Sequence, residues 1–254
     1  MITCDNYDIE ILVTGFPGKS VCHGSLGWST IVLLRGQGRV ALIDTGGFGV
    51  RHMLQEQLAH HGLKPSDVTD LLLSHCHYDH SVNWPLFKDA RIVIAETEMA
   101  WGLREPWGTS PVPEFYVDRL SGWPTLEMVG DGDEVLPHIT ARIAPGHTPG
   151  SLVYVLTNTK RDIVFTGDAA KNRAELISRA AGLSVDHEAS AETIEMIWGL
   201  WRARDGSILI PGHDLPMTQT DGEIAYIGER EAAMLAWYGE DLEQTTIIRL
   251  EKPA

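Results

Sequence analysis

The sequence has few cysteines and no long apolar run. Its 254 residues include three cysteines, Cys4, Cys22 and Cys76, and no two of them form a Cys-x-x-Cys pair. This spacing excludes a disulfide framework and a thiolate zinc site. The apolar runs, such as residues 71–73, have the length of a strand and fall far short of the ~20 residues that span a bilayer. We therefore expect no membrane-spanning segment.

Positive charge is also scarce. Twenty lysines and arginines stand against 35 aspartates and glutamates, which gives a formal net charge of −15, and no basic run interrupts the chain. Such a surface repels a phosphate backbone or an anionic membrane. The first residues carry neither the basic nor the apolar segment of a secretory signal. These features predict a cytoplasmic protein that binds a small-molecule substrate rather than nucleic acid or a membrane.

The composition is that of an ordinary globular protein. Hydrophobic residues make up 43% of the chain, and no linker rich in serine or proline divides it, so we expect a single domain over residues 1–254. Helical spacing of apolar residues predicts helices over 50–58 and 194–201, the latter after an N-cap at Ser190, with weaker candidates at 172–182 and 222–237. Short apolar runs predict strands at residues 7–14, 29–34, 39–43, 70–73, 91–94, 139–144, 152–156, 163–165, 207–210 and 245–250.

Two weak internal repeats indicate where a site could lie. The run that ends at Asp44 resembles the run that ends at Asp168, and the strand before His75 resembles the strand before His147. In each case an apolar strand ends in a polar residue followed by small ones. Because α/β folds place their sites where strands leave the sheet, this pattern suggests two similar halves with helices outside and one site between them.

The strongest motif is His75-Cys-His77-Tyr-Asp79-His80, directly after an apolar strand. Four potential ligands in six residues are costly to bury without partners, and imidazole and carboxylate are ligands that a divalent ion such as Zn²⁺ accepts. Three further candidates, His147, Asp168 and His213, each follow a strand. Two ions need about three side chains each and a shared bridge. The resulting set of seven fits a dinuclear site with one carboxylate between the ions.

In this order and context the seven residues resemble the metallo-β-lactamase superfamily, and the match runs from about residue 44 to residue 213. The resemblance implies an αββα four-layer sandwich that binds two divalent ions. Zn²⁺ is the first candidate for these ions, with Mn, Co or Fe as alternatives. It implies that one ion is held by His75, His77 and His147. It implies that the second is held by Asp79, His80 and His213. Asp168 would bridge the ions, and Asp44 would support the ligand histidines.

The resemblance also narrows the range of possible reactions. An aspartate at position 168 differs from the Cys or Ser of true β-lactamases, and the ligand spacing is most similar to that of acyl-homoserine lactonases and glyoxalase II-like enzymes. We expect a hydrolase in which a hydroxide between the ions opens a lactone or a related ester or amide, with Asp79 as a proton shuttle. Two alternatives remain: a mononuclear iron sulfur dioxygenase of the persulfide dioxygenase kind, and a thioester or β-lactam hydrolase.

The sequence marks the residues that would contact the substrate less clearly than the metal ligands. Those lactonases have a Tyr three residues after the bridging Asp, where this chain has Lys171. Lys171 is a candidate substrate contact, together with Phe16 in the loop 15–27, Trp107 and His187. Trp107 belongs to an aromatic stretch with several prolines, which serves either as an irregular lid or as a core or subunit contact. The second reading leaves a homodimer open.

Overall fold

Two seven-stranded sheets form the middle of the molecule in the computed structural model, which describes residues 2–4, 6–24 and 26–250. The first sheet contains, in spatial order, β1 (Ile2–Thr3), β2 (Asp8–Val13), β3 (Ile31–Gly36), β4 (Arg39–Ile43), β5 (Asp70–Leu72), β6 (Arg91–Ala95) and β7 (Leu126–Val129). Neighbours from β1 to β4 are antiparallel, and those from β4 to β7 are parallel.

The second sheet comes from the second half of the chain. It contains β8 (Glu134–Leu136), β9 (Ile139–Ile143), β10 (Leu152–Leu156), β11 (Ile163–Gly167), β12 (Ile208–Pro211), β13 (Met217–Thr220) and β14 (Glu223–Tyr226), again side by side in chain order. Only β11 and β12 run parallel to each other. Each half of the chain therefore builds one sheet, as the internal repeats suggest.

Helices cover the outer faces of both sheets. They are α1 (Arg51–His60), α2 (Tyr78–Ser81), α3 (Glu96–Gly102), α4 (Glu114–Ser121), α5 (Arg173–Ser178) and α6 (His187–Arg202). Short 3₁₀ turns lie at Phe48–Val50, Pro65–Asp67, Trp84–Phe87 and Asp168–Ala170. Within the described ranges, no helix combines the length and the apolar character needed to cross a bilayer.

Three apolar clusters hold the four layers together. Leu72 and Phe165 belong to the cluster between the two sheets. Leu71 faces the opposite way, toward the α1, α3 and α4 layer, and Val164 faces α5 and α6. Strands covered on both faces need apolar side chains on both, which is why these strands read as continuous apolar runs. The predicted αββα sandwich is confirmed.

One predicted helix is wrong. Residues 222–237 form β14 and a further strand, β15 (Ala233–Trp237), which pairs with β16 (Thr245–Arg249) in a separate hairpin. Gly228 has a φ of 91° and turns the chain between the two strands. A helix cannot pass through that conformation, and Ile224 instead packs against the outer core of the second sheet.

Two local predictions also need correction. The helix predicted over 194–201 begins at His187, and its N-cap is Asp186, whose carboxylate accepts the backbone N–H groups of Glu188 and Ala189. Ser190 lies inside the first turn and donates its hydroxyl to the carbonyl of Asp186. The aromatic stretch after α3 is not irregular throughout, because it forms α4, which buries two residues against the core, Val117 and Leu120.

Candidate metal centre

The seven predicted ligands lie where strands of the two sheets end. His75 and His77 follow β5, while Asp79 and His80 lie within α2. Asp168 follows β11 and His213 follows β12, and because these strands are parallel neighbours both residues emerge at the same edge. His147 lies in the loop between β9 and β10. The chain thus brings ligands from five separate positions to one place.

Three histidines form the first cluster. The ligand atoms of His75, His77 and His147 all lie within 4.8 Å of one another. The Nδ1 of His77 is 3.0 Å from the Nε2 of His147. The Nδ1 of His147 lies 2.9 Å from the carbonyl of Leu183, and that of His75 lies 3.0 Å from the hydroxyl of Ser74. With Nδ1–H donated to these oxygens, both rings present the lone pair of Nε2 to the cluster.

The second cluster consists of Asp79, His80 and His213. The Nε2 atoms of His80 and His213 are 3.3 Å apart. The Oδ2 of Asp79 lies 3.4 Å from the Nε2 of His213 and 3.8 Å from that of His80. A carboxylate and two imidazoles that converge in this way are a donor set for a divalent ion.

Asp168 lies between the two clusters. Its Oδ1 is 3.1 Å from the Nε2 of both His80 and His213, and its Oδ2 is 3.3 Å from the Nε2 of His147. Each carboxylate oxygen therefore faces a different cluster. A bridging ligand needs this placement.

Asp44 holds the second cluster from behind. Its Oδ2 accepts the hydroxyl of Ser74 at 2.7 Å and lies 2.7 Å from the Nδ1 of His80, while its Oδ1 accepts the backbone N–H of Ser74 at 2.7 Å. Asp44 has a φ of 58°. This left-handed conformation is strained for a residue with a side chain and is found where the surroundings enforce it. Here it aims the carboxylate at both His80 and the residue before His75.

The donor set fits divalent ions in three respects. First, the Nε2 of His75 and the Oδ1 of Asp168 are buried and have no hydrogen-bond partner. Second, nitrogen atoms bound tetrahedrally to one Zn²⁺ at ~2.05 Å lie ~3.3 Å apart, close to the separations of 3.0 Å and 3.3 Å within the two clusters. Third, the side chains are five imidazoles and two carboxylates, which Zn²⁺ and similar ions bind.

The electrostatics differ between the clusters. Burial lowers the pKa of His77 to about 4 and that of His147 to about 3, and it also lowers the pKa of His75. Burial acts in the same direction on His80, but the carboxylates of Asp168 and Asp44 outweigh it and raise the pKa. The first cluster is therefore neutral at pH 7, with free lone pairs for a metal ion.

His213 and Asp168 are linked in the same way. Burial lowers the pKa of His213, but the negative charge of Asp168 outweighs burial and raises this pKa. Burial raises the pKa of Asp168, but the rings of His213, His80 and His147 reverse this and lower it well below its usual range. The raised pKa values of His80 and His213 favour protonated rings in the second cluster.

A pocket of about 700 Å³ opens onto both clusters. The predicted contacts Phe16, Lys171 and His187 line it. Trp107 does not line it: this side chain is 64% exposed and packs edge-on against Phe115 of α4, with ring centroids 4.8 Å apart. Contact with Phe115 holds Trp107 on the outer surface, away from this pocket.

Sequence reasoning missed several residues around the site. Leu183 and Val185 form an apolar wall of the pocket, and the carbonyl of Leu183 also orients His147. Glu98, on α3, lies behind the ligand loops and is completely buried. No motif marks any of the three, because their roles depend on how a loop and a short helix pack against the sheets.

Comparison with known proteins agrees with this arrangement. A family model described as the metallo-β-lactamase superfamily matches residues 26–213. An uncharacterised protein from Mycobacterium tuberculosis is 29% identical over 218 residues, which cover 80% of this chain and 91% of that protein.

Two solved structures share the fold. A probable metal-dependent hydrolase from Staphylococcus aureus has a TM-score of 0.77 at 18% identity, covering 91% of this chain and 100% of that one. An N-acyl homoserine lactone hydrolase with the product N-hexanoyl-L-homoserine bound at its catalytic metal centre has a TM-score of 0.67 at 17% identity, covering 84% of this chain and 94% of that one.

Proposed function

This chain belongs to the metallo-β-lactamase superfamily, and from that membership and its site geometry we propose that it is a hydrolase with two divalent metal ions that opens a lactone or a related carboxylic ester or amide. One ion would be held by His75, His77 and His147, and the other by Asp79, His80 and His213. Zn²⁺ suits the nitrogen-rich donor set best.

The position of Asp168 is the observation that carries the proposal. Its two oxygens lie 3.1 Å and 3.3 Å from ligand nitrogens of different clusters. A site for a single ion would need only the three histidines, and a second set of ligands with a carboxylate between the sets would then have no purpose. The arrangement therefore favours a dinuclear hydrolase over a mononuclear iron oxygenase.

The residues of the chain divide the chemistry between them. Two divalent ions, when bound, supply an activated water near neutral pH and polarise the substrate carbonyl. The Oδ2 of Asp79 faces His80 and His213, and its side chain lines the pocket and is 21% exposed. The other oxygen of Asp79 can therefore carry a proton to the leaving group.

The pocket walls favour a small organic substrate with an apolar part. Phe16, Trp101, Leu183 and Val185 line the pocket with apolar surface. Lys171 also faces it, is only 14% exposed, and has its ammonium 3.1 Å from Oε1 of Glu175. Because the ammonium of Lys171 is buried and the carboxylate of Glu175 offsets its charge, this side chain does not supply a site for a phosphate. Nucleic acid is disfavoured by the net charge of −15.

A comparison of substrates tests the proposed reaction. The zinc-loaded protein is assayed with simple γ-lactones, aryl esters, acyl-homoserine lactones, a cephalosporin, a glutathione thioester and a phosphodiester, and the His213→Ala variant serves as the control for contaminating hydrolases. We expect the highest kcat/KM on a lactone or a carboxylic ester. The highest value on the phosphodiester or the glutathione thioester would contradict the proposed substrate class.

A further inference from the structure

Glu98 is a buried carboxylate for which the proposed chemistry has no use. It lies in α3 with 0% exposure. Its partners are neutral: the Oε1 accepts the backbone N–H of Cys76 at 3.0 Å, and the Oε2 accepts the hydroxyl of Thr148 at 2.6 Å and the backbone N–H of Gly150 at 3.1 Å. Burying a carboxylate is costly unless several hydrogen bonds satisfy it. A buried carboxylate here therefore points to a role for these hydrogen bonds.

The partners of Glu98 come from two loops that carry ligands. Cys76 lies between His75 and His77, so its N–H belongs to the short segment that presents both rings. Thr148 and Gly150 directly follow His147. One oxygen therefore holds the first loop and the other oxygen holds the second, although 70 residues of chain separate His77 from His147.

The second loop packs closely against the backbone at Glu98. A Cβ atom added to Gly150 would lie 2.1 Å from the backbone nitrogen of Glu98. The loop thus lies directly against the backbone of α3, which only a glycine permits. One turn later on the same helix, the ring of Trp101 lies 5.9 Å from that of His77. Helix α3 therefore sits behind both loops and contacts each of them.

We infer that Glu98 is a positioning residue that sets the spacing of the two loops and so preforms the three-histidine metal site. This inference rests on the proposed metal centre. Outer partners of metal ligands hold the ligands in geometry and so strengthen metal binding, and Glu98 does so through backbone groups rather than through the rings. The second cluster is supported separately, by Asp44 against His80, so Glu98 acts on the first site alone.

The chemistry of the side chain explains why a carboxylate is needed. The two backbone groups that Glu98 binds, on Cys76 and Gly150, can only donate, and they approach different oxygens. A glutamine offers one accepting oxygen and one donating NH₂ group. In either orientation its NH₂ faces a backbone N–H, so one loop loses its backbone hydrogen bond to residue 98 while the volume of the side chain stays the same.

The test measures zinc affinity at one site at a time. Zinc-stripped protein is titrated against a chromophoric chelator in two backgrounds: His213→Ala, which retains the three-histidine cluster, and His147→Ala, which retains the second cluster. Glu98→Gln should weaken zinc binding about 10- to 100-fold in the first background. In the second background the zinc affinity should stay within about threefold of its value with Glu98. In zinc-stripped protein that keeps both His147 and His213, Glu98→Gln should also speed the hydrogen exchange of the amides of Cys76 and Gly150.

A matched control removes a different buried carboxylate. Asp70 is also 0% exposed, but it lies at the opposite end of β5 from the ligands and pairs with Arg39 and Arg91. Asp70→Asn should lower Tm without a change in zinc affinity in either background. Thr148→Val is a second variant for the case in which Glu98→Gln does not fold. It removes one hydrogen bond to Glu98, and it should weaken zinc binding at the three-histidine site by a smaller factor than Glu98→Gln.

The outcomes separate the inference from the proposed function. Equal losses in both backgrounds, or none in either, from Glu98→Gln and Thr148→Val would overturn the positioning role. A wild-type chain that binds no zinc would overturn the metal centre itself. A selective loss at the three-histidine site, with Asp70→Asn unaffected, supports both.

Discussion

The Nδ1 of His80 lies 2.7 Å from the Oδ2 of Asp44, and this contact joins the end of β4 to helix α2. This contact fixes the ring so that Nε2 points toward Asp168 and His213. The orientation of a metal-ligating histidine depends on the partner of its other nitrogen. We therefore expect Asp44 to influence how tightly the second cluster binds an ion.

Asp44→Asn tests this relationship. Asparagine tolerates the left-handed backbone conformation at this position, so the fold should persist. With its oxygen accepting from Ser74, the amide would present NH₂ to the Nδ1 of His80 and force the proton onto Nε2. We expect about 10- to 100-fold weaker binding of the second ion, measured by zinc titration of the stripped variant. Unchanged affinity would show that Asp44 does not control His80.

Asp168→Ala should weaken the binding of both metal ions together. Its oxygens face different clusters, at 3.1 Å from His213 and 3.3 Å from His147. A residue that only supports one site would change one dissociation constant. The measurement is a two-step zinc titration of the stripped variant, and finding one site with its wild-type affinity would reject the bridge.

Zinc uptake by the second cluster should release protons at pH 7. The carboxylates of Asp168 and Asp44 outweigh burial and raise the pKa of His80, and Asp168 does the same for His213. A proton held with a raised pKa must leave before the metal binds, so affinity falls as pH falls. In the first cluster His77 and His147, with pKa values of about 4 and 3, are already neutral.

The variants separate these two behaviours. In a weakly buffered solution with a pH indicator, His147→Ala protein, which keeps the second cluster, should release about one proton or more per zinc. His213→Ala protein, which keeps the three histidines, should release clearly fewer. Equal release from both would contradict the electrostatic difference between the clusters.

Phe16→Ala should change substrate binding rather than chemistry. The ring of Phe16 lines the pocket and stacks on Trp28 with centroids 4.9 Å apart. Removing this wall should raise KM for an ester with a long apolar chain roughly tenfold, with kcat little changed, because the contact is the same in ground and transition state. Phe115→Ala is the matched control, since Phe115 is 71% exposed and outside the pocket. An equal effect of both variants on KM would argue against Phe16 as a wall of the substrate pocket.

The sequence predicts the layers and the ligands because each depends on local signals. Strands β4 and β10 have the predicted boundaries, 39–43 and 152–156, since a strand buried on both faces is a short apolar run with polar ends. The candidate ligands stand out in the same way, because imidazoles and carboxylates after apolar strands are costly without a partner.

Other features depend on contacts between distant segments and leave no local signal. Residues 223–226 become a strand because β13 pairs with them, whereas the spacing of apolar residues suggested a helix. Trp107 and Phe16 are both aromatic residues in loops near glycine and proline, yet only Phe16 reaches the pocket. Glu98 gives no sign of its partners, which lie 22 and 52 residues away at Cys76 and Gly150. The single domain and the homodimer stay predictions.

The metal content of the purified protein tests the central claim most directly. Protein loaded with zinc and freed of excess metal is analysed for bound metals per chain, together with His147→Ala as the one-site reference. We predict two zinc ions per wild-type chain and one in His147→Ala, because the second cluster keeps its own ligands. One ion per wild-type chain, or one iron bound in preference to zinc, would contradict the dinuclear hydrolase.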